Sequence, residues 1–207
     1  MHDRSYINIE GDSMELRELD LRDLDRRALA ATGEIVGKVG AHQLGLPTPC
    51  TEWTLGELLR HLVSENQGFA VNARGVPDRS VWDGGRLGED PHAAYLESAE
   101  LVTAAFADDD VFGRDVEVRE FGVFSAEIAL SLHFVDFLVH GWDVAKAIGA
   151  PIEFEEELAV TALAIAHRWP DDRPNAAFDI EVEVTAAASP TQQLVAFLGR
   201  PPSWPTV

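Results

Sequence analysis

Between residues 55 and 69 the apolar positions fall at Leu55, Leu58, Leu59, Leu62 and Phe69, the three-and-four rhythm of one helical face. Leu21, Leu24, Ala28, Ile35 and Val39 keep the same rhythm, so a first helix is expected from about Leu16 to Val39. Pro47-Thr48-Pro49 forces an extended connector, because proline disfavours helix in the residue before it. Thr54-Leu55-Gly56-Glu57 has the form of a capping box, whose two side chains satisfy backbone donors left over at a helix start. It predicts a second helix ending near Gly75-Val76-Pro77. A third is expected from Pro91 to about Ala107 and a fourth from about Ser125 to Ile148, stopped by Gly149 and Pro151. A fifth runs from about Glu155 to Trp169, with glutamates in the first turn where the helix dipole favours them.

The remaining pattern is short. Asp108-Asp109-Asp110 opposes the dipole at the end of the third helix and so belongs outside it. Val116, Val118 and Phe121 read as an extended segment, Ile180 to Val184 alternates like a strand, and Thr191 to Leu198 reads as a terminal helix. The glycines of Asp83–Gly88 lack both the GxGxxG spacing and the preceding strand of a dinucleotide site, and read as a turn. The expected architecture is mainly α: a four-helix bundle with a small C-terminal appendage of one short strand and one helix. Residues 1–15 are expected to be a flexible extension, with Met14 as a second candidate start. Residues 16–207 then form one helical domain whose tail begins near 170.

Composition narrows the partners. The 207 residues carry 36 acidic side chains against 16 Lys and Arg, a formal charge of −20. That balance excludes phosphate-backbone binding, which draws on clustered cations, and disfavours anionic membranes. No uncharged apolar run approaches the ~20 residues of a membrane span, and the start of the chain lacks the apolar core of a secretory signal. With Cys50 the only cysteine, no intrachain disulfide can form, which fits a reducing cytoplasm. Cys50 follows Pro49 near Trp53 and reads as structural; a nucleophile needs surroundings that favour its thiolate.

Candidate chemistry sits on the fourth helix. From Ile128 to Trp142 it is apolar on nearly every side, broken by Ser131, His133, Asp136 and His140. At about 100° per residue, His133, Asp136 and His140 share one face and Ser131 lies opposite. A buried carboxylate without compensation costs several kcal/mol, so this cluster calls for partners or a metal. Asp136 and His140 stand one turn apart, where two side chains can reach one ion. A ligand from a facing helix is then required, and His61, at the edge of the second helix's apolar stripe, is the best candidate. His133 and Glu65 are candidates for an additional ligand or an outer partner. Trp53, Trp142 and Phe134 are candidates for the pocket wall. Neither HExxH nor paired ExxH motifs occur, which leaves a mononuclear site of two His and one carboxylate.

Two segments carry a family likeness. Pro47-Thr48-Pro49-Cys50-Thr51-Glu52-Trp53-Thr54 with Leu58-Leu59-Arg60-His61-Leu62-Val63 resembles the PTPC-x-x-W-x-x-x-x-L-x-x-H-L-V segment of actinobacterial DinB/YfiT-like proteins. Asp136 with His140-Gly141-Trp142-Asp143-Val144-Ala145 resembles their D-x-x-x-H-G-W-D-hydrophobic-A motif, and Ala188 to Arg200 resembles their ending. The likeness runs from about Leu19 to Arg200 and is similar to the N-terminal domain of mycothiol-dependent maleylpyruvate isomerase. It implies a DinB-like bundle and a divalent metal, usually zinc, held at positions matching His61, Asp136 and His140. The chain departs from the isomerase in two ways: Asp136 stands where the isomerase has Glu, and only a short segment follows Ala150 in place of a larger C-terminal domain.

The expected function is therefore that of a metal-dependent enzyme. A low-molecular-weight thiol, mycothiol by the resemblance, enters an open metal position as thiolate and attacks a small electrophile, giving S-transfer or isomerisation. Metal-activated water would instead make a hydrolase, and a non-catalytic protein binding metal or a small ligand is a third reading. Nickel and iron also accept imidazole, and two His with one carboxylate suits a ferrous oxygenase. The expected partners are a small thiol and an electrophile, with a homodimer as the assembly such bundles often adopt.

Overall fold

The computed structural model describes residues 19–51, 53–76, 78–169 and 178–205. The expected N-terminal extension and Met14 lie outside these residues, as does the start of the expected tail. Helices α1 (Leu21–Val36), α2 (Leu55–Ala73), α3 (Pro91–Phe106) and α4 (Ala126–Ala147) make a four-sided bundle, with α1 against α4, α4 against α2, α2 against α3 and α3 against α1. Helices α5 (Glu156–Ala166) and α6 (Pro190–Phe197) pack on each other and on α4. The architecture is thus mainly helical, as the periodicity predicts.

Local chemistry sets the helix starts. Asp20 caps α1 through Asp23 N at 3.1 Å, which sets its start at Leu21; Leu16, the expected start, lies outside the described residues. Thr54 and Glu57 form the capping box reciprocally. Asp90 accepts from His92 N and Ala93 N ahead of Pro91, and Ser189 with Gln192 boxes the start of α6. The core is continuous, with Leu55, Leu58, Leu62, Phe134, Phe137 and Leu138 fully shielded from water.

Three expectations change. Ile180 to Val184 is not a strand: one backbone bond, Val182 N to Ala196 O at 2.9 Å, ties it down, and Ile180 and Val184 stay exposed. Alternation without a partner strand does not make a ladder. The extended segment near Val116 is instead an antiparallel hairpin of β1 (Asp115–Val118) and β2 (Gly122–Ser125), with Phe121 in its exposed turn. Finally, α4 has the length and mean hydropathy, 1.2 over 18 residues, of a membrane span, although His, Asp and Glu interrupt it. Of that stretch 83 % is buried inside the protein, which accounts for its apolarity as a core helix.

One glycine fixes how closely α1 meets α4. A Cβ at Gly141 would lie 2.4 Å from Thr32 Oγ1, and that hydroxyl donates to Phe137 O at 2.8 Å. The glycine beside His140 therefore lets the α1 backbone approach the helix that carries the site.

Candidate metal centre

Asp136 and His140 project from α4 toward His61 on α2. His61 Nε2 lies 3.8 Å from Asp136 Oδ2, and His140 Nε2 lies 3.4 Å from Asp136 Oδ1. One donor atom from each of the three falls within 4.8 Å of the other two. The side chain of Asp136 is 30 % exposed and that of His61 16 %, against 7 % for His140, so the cluster opens to solvent along one edge.

The donor set fits a divalent cation. Asp136 Oδ2 is buried and has no hydrogen-bond partner among the described residues, with His61 Nε2 too distant to supply one. Burial pushes His61 down to about 3, opposed by the Asp136 charge, so its imidazole is neutral and keeps a lone pair. Burial also opposes the charge on His140, but the carboxylate of Asp136 outweighs it and holds His140 well above the ordinary histidine range. For Asp136 burial raises the carboxyl, and His140 and His61 outweigh that and bring it below the usual carboxylate range. The metal-free cluster is therefore an Asp136–His140 ion pair beside a neutral His61. Two imidazoles and a carboxylate around one gap make a set that zinc, nickel and iron accept.

Glu65, one turn beyond His61, lies 3.5 Å from its Nδ1. Burial, then the Asp136 charge, lifts its carboxyl to about 8 against the pull of Arg119, whose Nε contacts Oε1. Trp53 walls the cluster, its ring centroid 4.5 Å from that of His61 and 5.9 Å from that of His140. Trp142 and Phe134 are buried in the core, and the Trp142 ring packs under the Lys146 ammonium at 5.3 Å.

His133 is not part of this centre. Its Nδ1 faces Asp25 Oδ1 at 2.7 Å and its Nε2 faces Asn66 Oδ1 at 3.1 Å, in a network continued by Ser98 and Tyr95. The angular argument put His133 and His140 on one stripe, but seven residues of helix separate them by about 10 Å along the axis. His133 therefore turns into the middle of the bundle while His140 reaches its edge.

A second group, Cys50, His140 and Asp143, also has donor atoms within 4.8 Å of one another. Here Arg200 Nη2 already stands 3.2 Å from Cys50 Sγ and 3.6 Å from Asp143 Oδ2, so a positive charge occupies the place a cation would take. Cys50 Sγ donates to Asp143 Oδ2 at 3.2 Å, and His140 Nδ1 lies 3.0 Å from the same oxygen. For Asp143 burial acts upward, and Arg200 and His140 outweigh it and hold the carboxyl below its ordinary range.

Sequence reasoning missed Asp143, Arg200 and Arg119 as members of the site. Asp143 carries a signal, its place three residues after His140 in the H-G-W-D motif. Arg200 carries one only as the last residue of the segment that resembles the family's ending, and Arg119 carries none outside the fold.

The family model described as the mycothiol maleylpyruvate isomerase N-terminal domain matches residues 26–145. Among curated proteins, the uncharacterized proteins Rv0738 and MT0763 from two strains of Mycobacterium tuberculosis are each 32 % identical over 178 residues, covering 84 % of this chain and 94 % of theirs. Among solved structures, a histidine-to-alanine mutant of mycothiol-dependent maleylpyruvate isomerase superposes with a TM-score of 0.59 at 15 % identity, over 73 % of this chain and 71 % of that one. The unmutated isomerase gives 0.56 at the same identity and coverage. At that identity the two structures speak for the fold.

Proposed function

The chain belongs to the family of the mycothiol maleylpyruvate isomerase N-terminal domain, and from that premise we propose that it is a metal-dependent enzyme acting with a low-molecular-weight thiol on a small electrophile. The observation that carries the reading is the convergence of His61 Nε2 and His140 Nε2 on the two oxygens of Asp136, at 3.8 and 3.4 Å. His61, Asp136 and His140 would hold the ion, most simply zinc, and three protein ligands would leave room for another group. A divalent ion there supplies Lewis acidity and keeps a coordinated thiol deprotonated at neutral pH.

The chain's own residues supply the rest. Neutral His61 offers a lone pair without first losing a proton, whereas His140 must give up the proton it shares with Asp136. Trp53 covers one side of the cluster with an apolar ring, and the partly exposed edge at Asp136 and His61 is the way in for thiol and electrophile. Mycothiol is the thiol the family points to, and S-transfer or isomerisation is the reaction class. The electrophile is to be found by screening.

The experiment is a turnover screen of zinc-reconstituted protein against electrophiles, with and without mycothiol, in parallel with His61→Ala and His140→Ala. Turnover that needs both the thiol and the two histidines supports the reading. Thiol-independent hydrolysis would move the function to a metal-activated water, and bound metal without turnover on any substrate would leave a binding protein.

A further inference from the structure

Each imidazole that faces Asp136 is backed by a carboxylate, and each carboxylate by an arginine from a distant part of the chain. Behind His61, Nδ1 lies 3.5 Å from Glu65 Oε1, and that oxygen is in contact with Arg119 Nε. Behind His140, Nδ1 lies 3.0 Å from Asp143 Oδ2, with Arg200 Nη2 3.6 Å from the same oxygen. The two halves of the site thus repeat one order: arginine, carboxylate, Nδ1, then Nε2 aimed at Asp136. Arg119 comes from the hairpin turn between β1 and β2, and Arg200 from the segment after α6.

Both arginines are held more firmly than a surface charge is. Arg119 donates from Nη2 to Trp82 O at 2.6 Å and from Nη1 to Asp83 Oδ1 at 3.3 Å, and its guanidinium lies 5.5 Å from the Trp82 ring. Its backbone sits at φ +42°, in the left-handed region that non-glycine residues rarely adopt. Arg200 donates from Nη1 to Leu198 O at 2.7 Å and from Nη2 to Cys50 Sγ at 3.2 Å. Side-chain exposure is 6 % for Glu65, 0 % for Asp143, 17 % for Arg119 and 8 % for Arg200, so the four side chains are shielded from water.

We propose that Arg119 and Arg200 are positioning residues for the metal centre: each anchors the carboxylate that fixes an imidazole with Nδ1 turned away and Nε2 toward the ion. The inference rests on the metal-binding reading above. A histidine ligand whose other nitrogen meets a carboxylate is fixed in tautomer and ring orientation, and an arginine pinned by its remaining donors in turn holds the carboxylate beside it. The site then depends on the hairpin and on the C-terminal segment, although its ligands come from α2 and α4 alone.

The test measures zinc and cobalt affinity by competition with a chromophoric chelator, for the wild type, Arg119→Met, Arg200→Met and His61→Ala. Visible cobalt spectra and the circular dichroism of the metal-free proteins accompany it. Each arginine variant should bind metal ~10–100-fold more weakly, with altered cobalt bands and a native metal-free spectrum. Wild-type affinity and cobalt bands in both would overturn the inference while leaving the metal reading intact. A wild type that binds neither metal, indistinguishable from His61→Ala, sinks the metal reading and the inference with it. If a methionine variant fails to fold, Arg119→Lys and Arg200→Lys decide. They keep the charge but lose the fork, so weakened binding supports the inference and native binding refutes it.

Discussion

His61 and His140 stand edge to face, ring centroids 5.0 Å apart and planes at 80°, with one carboxylate between their Nε2 atoms. Stacked imidazoles would aim their lone pairs alike; an edge-to-face pair lets both converge on a shared point. Protein purified without a tag or chelator should therefore hold about one equivalent of divalent metal by elemental mass spectrometry. His61→Ala, His140→Ala and Asp136→Ala should each lose most of it. Full occupancy in any two of these would mean that the ion sits elsewhere.

The protonation pattern makes a second prediction. At pH 7 the metal-free protein carries a proton on His140, because Asp136 outweighs burial and holds it well above the ordinary range. His61, pushed down to about 3, carries none. Coordination through His140 Nε2 must expel that proton, and a nearby cation also favours ionised Glu65, which burial lifts to about 8 in the metal-free protein. Calorimetry of zinc binding in buffers of different ionisation enthalpy should report between one and two protons released at pH 7. Affinity should rise about tenfold per pH unit for each proton released, up to the pKa of His140. Release of less than half a proton would exclude His140 as a ligand.

How far the chain could be read without its fold depends on the range of the interaction. The capping box at Thr54 and Glu57 spans three residues and is decided locally, so the start of α2 was legible to the residue. Asp136 and His140, one turn apart, were legible as a pair for the same reason. His133 was misplaced because a helical wheel keeps angle and discards axial rise, and Asp25 and Asn66, which claim its ring, come from α1 and α2. The strand expected at Ile180 failed because alternation reports a face and says nothing of a partner. Nothing local tied Arg119 or Arg200 to the site: their contacts with Glu65 and Asp143 exist only once hairpin and tail are packed on the bundle.

The glycine next to His140 makes a packing prediction. Gly141→Ala places a methyl group against Thr32 Oγ1, where an added Cβ would sit at 2.4 Å. Overpacking a core costs about 1–3 kcal/mol, and alanine returns at most about 1 kcal/mol through its helix propensity. Urea unfolding of the metal-free protein should show a net loss of roughly 1–2 kcal/mol with an unchanged slope. A midpoint at or above that of the wild type would mean that α1 moves away from α4 without cost.

His133 separates a structural histidine from a ligand on the same helix. Its ring is wholly buried and is the hydrogen-bond partner of Asp25, itself only 3 % exposed. Removing one member of such a pair leaves the other as a buried, unpaired group, a loss of about 3–5 kcal/mol. His133→Ala should therefore lower the unfolding free energy by that amount while the folded fraction still binds one equivalent of zinc. His140→Ala should lose the metal, and since it also strips the buried Asp143 and Asp136 of a shared partner, metal content and not stability separates the two histidines. A His133→Ala protein that stays stable but loses its metal would assign His133 to the ion and require Asp25 to be its outer carboxylate.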